Sequence, residues 1–194
     1  MQTYDFVHLS LYALGGKIKG STKLQKTVYF IGVMTKTVEE LGFYPHFYGP
    51  YSDEVASAAA RLQGLGFLER TPVRGYGCGS GGFEVVRYDY ALNKEGRQIA
   101  KEKTAQYPTL WKKILKAVSV LKRVGDQDYM KLSVAAKTYF MLCGKSALPG
   151  QKQTATMEEL VKLAKKFGWK VSEKEVKEAA NLLQKIKLVT VTGS

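Results

Sequence analysis

Three absences narrow the class of protein that this sequence encodes. Two cysteines, Cys78 and Cys143, are too few to indicate a disulfide framework or a thiolate metal site. Two histidines, His8 and His46, lie far apart without ligand-like spacing, and we interpret each as an ordinary packed or surface residue. No apolar run reaches the roughly 18 residues of a membrane span, and the N-terminus lacks the basic start of a signal peptide. These absences predict a cytoplasmic protein with no membrane partner.

Recognisable catalytic motifs are also missing from the sequence. There is no triad containing histidine, no paired-carboxylate motif, no metal cluster and no nucleotide-binding loop. The glycine-rich stretch GYGCGSGG lacks the Gly-Lys-Ser/Thr ending of a phosphate-binding loop and stands between two predicted strands. We therefore expect a protein that is not an enzyme and that uses no cofactor or metal.

Positive charge is the strongest global signal that is present. The 194-residue chain carries a formal net charge of +13, which indicates attraction to nucleic acid or another acidic surface. The excess is uneven, because the net charge is +1 over residues 1–92, +9 over 93–153 and +3 over 154–194. Only 6 of the 30 basic residues are arginine, so contact with the nucleic-acid backbone is favoured over base-specific readout.

Residues 48–71 carry the clearest indication of the fold. Ser52 can cap a helix after the Gly49-Pro50 turn, and apolar residues then recur at helical spacing as far as Leu65. Gly64 and Gly66 lead into the short apolar segment Phe67-Leu68, which we interpret as a strand. This order of helix, glycine exit and strand is typical of the third helix and first wing of a winged helix-turn-helix.

The residues around this stretch complete that topology over residues 4–92. A first helix is expected over 4–14, and a second runs from a Thr22 cap to about Leu41, with Gln25 as the capping-box partner and Lys26 on the surface. The segment FYPHFYGPY has five aromatic residues in nine positions, and we interpret it as a packed connector rather than a base-stacking surface. A second wing strand is predicted over 83–92.

The middle of the chain, residues 93–153, is predicted to be helical and basic. Helices are expected over 94–103, capped by Asn93, over 108–124 and over 128–143, with a linker following. In the helix over 108–124, Ile114, Val118 and Leu121 form an apolar stripe and the cations lie opposite. One surface of this helix should pack while the other faces solvent.

Residues 154–194 resemble the region around residue 55. Capping-box patterns at Thr156 and Ser172 predict two helices separated by Gly168. Seven apolar or glutamine positions of 55–67 recur 121 residues later, from Val176 to Leu188, which indicates a second winged-helix-like unit. The alternative is that any two amphipathic helices that lead into strands look alike. The predicted fold class is thus mainly α with small β wings (α+β), with winged-helix-like units at 1–92 and 154–194 joined by the middle segment 93–153.

Two segments resemble a known family. KLQKTVYF and FYGPYSDEV are similar to the Leu-Gln-Lys-x-x-Tyr core and the Tyr-Gly-Pro turn of the prokaryotic Panacea or SocA-like domain. The resemblance covers roughly residues 4–70 and implies a regulatory or adaptor module without a catalytic centre. The turn reads Gly-Pro-Tyr-Ser here, which departs from the Gly-Pro-Val of the antitoxin branch.

The leading functional hypothesis is a DNA-binding transcriptional regulator. The helix over 108–124 should dock on phosphates, Arg70 and Arg74 should support the first wing, and the C-terminal helix should contact the groove. A protein adaptor or antitoxin-like module acting through the N-terminal domain, and an RNA- or ribosome-associated factor, remain open alternatives, as does the oligomeric state. The candidate nucleic-acid-binding residues are Lys112, Lys113, Lys116, Lys122, Arg123, Arg70, Arg74, Lys174, Lys177, Gln184 and Lys185.

Overall fold

The structure, a computed structural model, describes residues 1–78, 84–124, 129–143, 156–169 and 171–189. It is mainly helical with small antiparallel sheets, which confirms the α+β class. The elements in chain order are α1 (Thr3–Ala13), β1 (Lys17–Lys19), α2 (Ser21–Thr35), a 3₁₀ turn (Glu39–Leu41), β2 (Tyr44–His46), β3 (Gly49–Tyr51), α3 (Asp53–Gly64), β4 (Leu68–Cys78), β5 (Glu84–Leu92), α4 (Lys94–Gln106), α5 (Pro108–Arg123), α6 (Tyr129–Cys143), α7 (Met157–Lys166) and α8 (Glu173–Lys185).

Two antiparallel sheets lie in the N-terminal half. The first has the strand order β1-β5-β4, and Ile18 of β1 lies opposite Tyr90 of β5. The second is the two-stranded ribbon β2-β3, in which Tyr44 lies opposite Tyr51. The β4-β5 hairpin and α3 agree with the sequence prediction, whereas β1 and the ribbon lie in segments where no strand was predicted. The predicted linker over 144–155 is outside the described residues.

Four of the five helix caps that the sequence predicted are present. The side chains of Ser52 and Asn93 accept the backbone N–H groups of Val55 and Gly96. Complete capping boxes at Thr156 and Ser172 begin α7 and α8. The start of α2 is different, because Gly20 occupies the N-cap and Gln25 is not a capping residue. The predicted capping box at Thr22 is therefore wrong.

One hydrophobic cluster extends over most of the described helices. It includes Phe6 of α1, Phe30 of α2 and Leu62 of α3, all with no exposed surface, and it continues through Ile114 of α5 to Leu183 of α8. Burial of large apolar side chains contributes about 1.5–3 kcal/mol each, so this shared core holds the helices together. A smaller cluster of Met141, Ala164 and Trp169 joins α6 to the segment after α7.

The two helices compared in the sequence end in the same way. After α3 the chain turns at Gly66 (φ 74°), and after α8 it turns at Lys187 (φ 62°), exactly the separation that the sequence pattern has. In both, the next N–H donates to a carbonyl five residues earlier at 2.9 Å. The turn at Gly168 after α7 makes the same bond, however, so this common helix ending needs no duplication to explain it.

Candidate nucleic-acid interface and an anchored hairpin

Helix α5 has the strongly two-sided character that its sequence predicts. Ile114, Ala117, Val118 and Leu121 are buried against the core, where α5 packs on α1 and α2. Its five cations are exposed, and the helix contains no acidic residue. Within the described part of the chain, none of the five pairs with a carboxylate. We define the basic surface as Lys112, Lys113, Lys116, Lys122 and Arg123.

Other cations of the middle segment have structural partners. The Lys103 ammonium lies 2.6 Å from the Asp5 carboxylate and 4.0 Å from the centre of the Tyr4 ring, and it joins α4 to α1. The Arg97 guanidinium donates to the backbone carbonyls of Leu92 and Gly15. The net charge of this segment therefore overstates the charge that is available for binding, and five of its exposed cations lie together on α5.

The remaining predicted binding residues lie on separate elements. Arg70 on β4 is exposed and stacks on Tyr88, with its guanidinium carbon 3.6 Å from the ring centre. Arg74 lies opposite Val86 in the hairpin, and its side chain is outside the described residues. Helix α8 packs on α6 and α7, away from the partners of α5, and Lys177 pairs with Glu173 at 2.9 Å. Its exposed predicted residues are Lys174, Lys177, Gln184 and Lys185.

The solvent side of α3 carries little positive charge for binding phosphate. Asp53 and Glu54 are exposed at its N-terminal end, and Arg61 is the single cation of this helix. The Arg61 guanidinium also lies 5.0 Å from the centre of the Tyr4 ring. The N-terminal end of α3 would repel phosphate.

The two segments that resemble the Panacea or SocA-like domain contact each other. The Gln25 amide donates to the Ser52 carbonyl at 2.9 Å and accepts the Ser52 N–H at 3.0 Å, as a neighbouring strand would. The Lys26 ammonium donates to the Pro50 carbonyl at 2.7 Å. Both side chains are buried, so their interpretation as a cap and a surface group is wrong. No local pattern marks either residue as buried, because their partners lie 27 and 24 residues away in the chain.

The environment of Lys26 is unusual for a lysine. Only 1% of the residue is exposed, and burial together with the nearby Lys137 charge lowers its pKa to about 7. Desolvation penalises the ammonium form, and the single carbonyl of Pro50 offsets only part of that cost. The Lys26 side chain thus stabilises the turn through its hydrogen bond, although its buried position disfavours the charged ammonium form.

The ribbon is also held by α6 and by the segment after α7. The Ser133 hydroxyl of α6 donates to the Tyr48 carbonyl at 2.6 Å, and the Trp169 indole donates to the His46 carbonyl at 2.8 Å. Gly49, at φ 98°, lies so close to α6 that an added Cβ would be 2.9 Å from Cγ of Lys137. Three elements therefore hold the backbone of one short turn.

The side chains of this turn nevertheless face solvent. Phe47 is 81% exposed and Tyr48 is 64% exposed. The interpretation of this segment as a packed connector is therefore wrong for its central aromatic residues, because its backbone is anchored and its rings are not covered. We define the aromatic hairpin as residues 44–51.

His8 agrees with its interpretation as a packed residue, and Cys143 is partly packed as well. His8 is fully buried in α1, where its Nε2 donates to the Gly96 carbonyl at 2.7 Å, and burial lowers its pKa to about 4. Cys143 is half-buried, and burial raises its pKa. Across the described residues, no group of three or more histidine, cysteine or acidic side chains is arranged to hold a metal ion. No helix in the same part of the chain is long and apolar enough to cross a membrane.

Comparison with known proteins gives one informative similarity. The chain is 33% identical over 92 residues to the uncharacterised protein YwgA of Bacillus subtilis (strain 168). The match covers 45% of this chain and 48% of YwgA, so it spans about half of that protein. No protein-family model matches the chain. Function therefore has to be argued from the surfaces described above.

Proposed function

We propose that this chain is a nucleic-acid-binding protein, a cytoplasmic transcriptional regulator that contacts double-stranded DNA mainly through its backbone. The observation that carries the proposal is the basic surface of α5. Five exposed cations on one 16-residue helix without an acidic residue form a concentrated positive field, and such fields attract phosphate.

The order of the N-terminal elements supports a winged-helix unit. Helices α1, α2 and α3 precede the β4-β5 hairpin, and β1 joins β5 to complete a three-stranded antiparallel sheet. In this proposal the β4-β5 hairpin is the wing, and Arg70 on β4 supplies a phosphate contact. The exposed side of α8 is the proposed groove contact, because α3 is acidic at the end where recognition helices approach bases.

The dimensions of α5 suit a stretch of DNA backbone. Lys112 and Arg123 are separated by about 16 Å along the helix axis, which matches about five steps of DNA at 3.4 Å each. Lys116 lies between them on the same side of the helix, opposite the buried stripe. These three cations are the proposed centre of the contact.

The experiment compares the salt dependence of binding in two charge-reversed variants. Fluorescence anisotropy with a labelled duplex measures log affinity against log salt for the unmodified chain, for K112E/K116E/R123E and for the control K162E/K165E/K166E on α7. Each lost phosphate contact reduces the magnitude of this slope by about 0.9. The slope of the α5 variant should therefore be about 2.7 less steep than that of the unmodified chain, and the slope of the control should change much less. Equal binding and equal slope in the α5 variant and the unmodified chain would overturn the proposal.

A protein adaptor is the second candidate, and the exposed aromatic hairpin favours it. The anisotropy experiment separates the candidates, because an adaptor that uses its lysines only for solubility would bind duplex DNA weakly and without the predicted difference between variants. A structured RNA of matched length in the same titration tests the RNA-associated alternative. Tighter binding of that RNA than of the duplex would favour it.

A further inference from the structure

The aromatic hairpin presents rings in a fixed arrangement. The His46 and Phe47 rings lie 5.3 Å apart between their centres, and the Tyr44 and Tyr51 rings lie 5.9 Å apart. Phe47 and Tyr48 are the most exposed of the large apolar side chains in the described residues. Exposed aromatic clusters on an anchored backbone mark interaction surfaces, because rigid rings lose little entropy when a partner covers them.

The charge around the hairpin is opposite to that of the chain as a whole. Residues 37–60 contain four acidic residues and no lysine or arginine. Glu39, Glu40, Asp53 and Glu54 are all exposed, and they flank the ribbon on the side of its open end, where Tyr44 pairs with Tyr51. The Tyr44 hydroxyl donates to Asp53 at 3.0 Å, which places one carboxylate directly against the aromatic cluster.

The two lysines next to Gly49 of the hairpin face inward or are occupied. The Lys26 ammonium is buried beneath Pro50. The Lys137 ammonium lies 5.6 Å from the centre of the Trp169 ring, and Glu175 acts on it electrostatically. Among the described residues, the hairpin therefore offers a partner rings at its turn and carboxylates near its open end, and neither of these two lysines is available beside them.

We propose that the aromatic hairpin is a docking site for a cationic segment of a partner protein. Arginine or lysine side chains of that segment would stack on Phe47 and Tyr48 at the turn, since aromatic faces attract cations, and others would pair with the carboxylates that flank the open end of the ribbon. The four carboxylates would repel the phosphates of a nucleic acid, which argues against base stacking here. The site is independent of the basic surface, so a regulator could contact DNA and a basic partner at once.

The experiment uses a synthetic peptide of alternating arginine and glycine, with a glutamine-glycine peptide as its neutral match. Titration of the isotope-labelled full-length chain, followed by amide chemical shifts, should place the changes at residues 37–54 with the arginine peptide and give none with the neutral one. F47A/Y48A should weaken binding by about 5- to 30-fold, the effect of two exposed cation–π contacts. L115A/M130A, which removes similarly exposed side chains elsewhere, should leave it unchanged.

Three outcomes would overturn the proposal. The first is that the arginine peptide does not bind, or that its shifts fall outside residues 37–54. The second is that F47A/Y48A binds the peptide normally although its thermal unfolding matches that of the unmodified chain. The third is that a short oligothymidylate, titrated in parallel, perturbs the hairpin more than the peptide does. None of these results depends on whether α5 binds DNA.

Discussion

The basic surface and the aromatic hairpin are built in opposite ways. On α5 the helix supplies its own backbone hydrogen bonds, and the cations are flexible side chains that contribute little to the fold. In the hairpin, four side chains from α2, α6 and the segment after α7 fix the backbone of one turn, including the buried Gln25 and Lys26. The first surface is therefore expected to tolerate substitution, whereas the second depends on residues far away in the chain.

The largest effect on stability is expected at Gln25. Gln25→Met keeps the length of the side chain but leaves the buried N–H of Ser52 without a partner and removes one bond to its carbonyl. Losses of this kind cost about 1–3 kcal/mol for each group, so unfolding free energy should fall by about 2–4 kcal/mol in urea titrations. Gln63→Met on the exposed side of α3 is the control and should change it by less than about 0.5 kcal/mol. Similar values for the two variants would contradict the anchoring role.

Lys26 should give stability a dependence on pH. Its folded-state pKa of about 7 lies below the ordinary value of 10.5, so above pH 7 the unfolded chain binds more protons than the folded chain. Unfolding free energy should therefore rise with pH between about 7 and 9, by at most about 1.4 kcal/mol per pH unit from this residue. Lys26→Met should remove that rise, and the exposed Lys112→Met should keep it. If the unfolding free energy of Lys26→Met rises with pH as steeply as that of the unmodified chain, burial of Lys26 does not lower its pKa in the folded state.

The smallest effect on stability is expected on α5. K112Q/K116Q/R123Q removes three exposed charges without touching the buried stripe, and each change should alter unfolding free energy by about 0.5 kcal/mol or less. Arg123 lies in the last turn, where the helix dipole favours a cation, so its share should be the largest of the three. A cooperative loss of several kcal/mol in thermal unfolding would mean that these side chains are part of the fold.

Local patterns account for the parts of this molecule that the sequence predicted well. Ser52, Asn93, Thr156 and Ser172 are capping residues whose partners lie within three residues, and the apolar stripe of α5 follows from helical spacing alone. The exposed cations of α5 could be predicted for the same reason.

Long-range contacts account for what was missed. The local sequence pattern predicts Gln25 as half of a capping box, but its hydrogen-bond partner is Ser52, 27 residues away. Strand β1 is three residues long and exists because β5 lies beside it. The high aromatic content of the segment predicts that its side chains are buried in the core. Phe47 and Tyr48 are exposed instead, because hydrogen bonds from several other elements fix the backbone of the turn.

The separation of the two surfaces is tested most directly by one salt titration on three proteins. Duplex DNA affinity is measured across salt concentrations for the unmodified chain, K112E/K116E/R123E and F47A/Y48A, all checked for equal thermal unfolding. The account predicts that the α5 variant loses about 2.7 from the slope of log affinity against log salt, while the hairpin variant keeps both slope and affinity. A loss of DNA binding in F47A/Y48A, with the α5 variant unaffected, would contradict it.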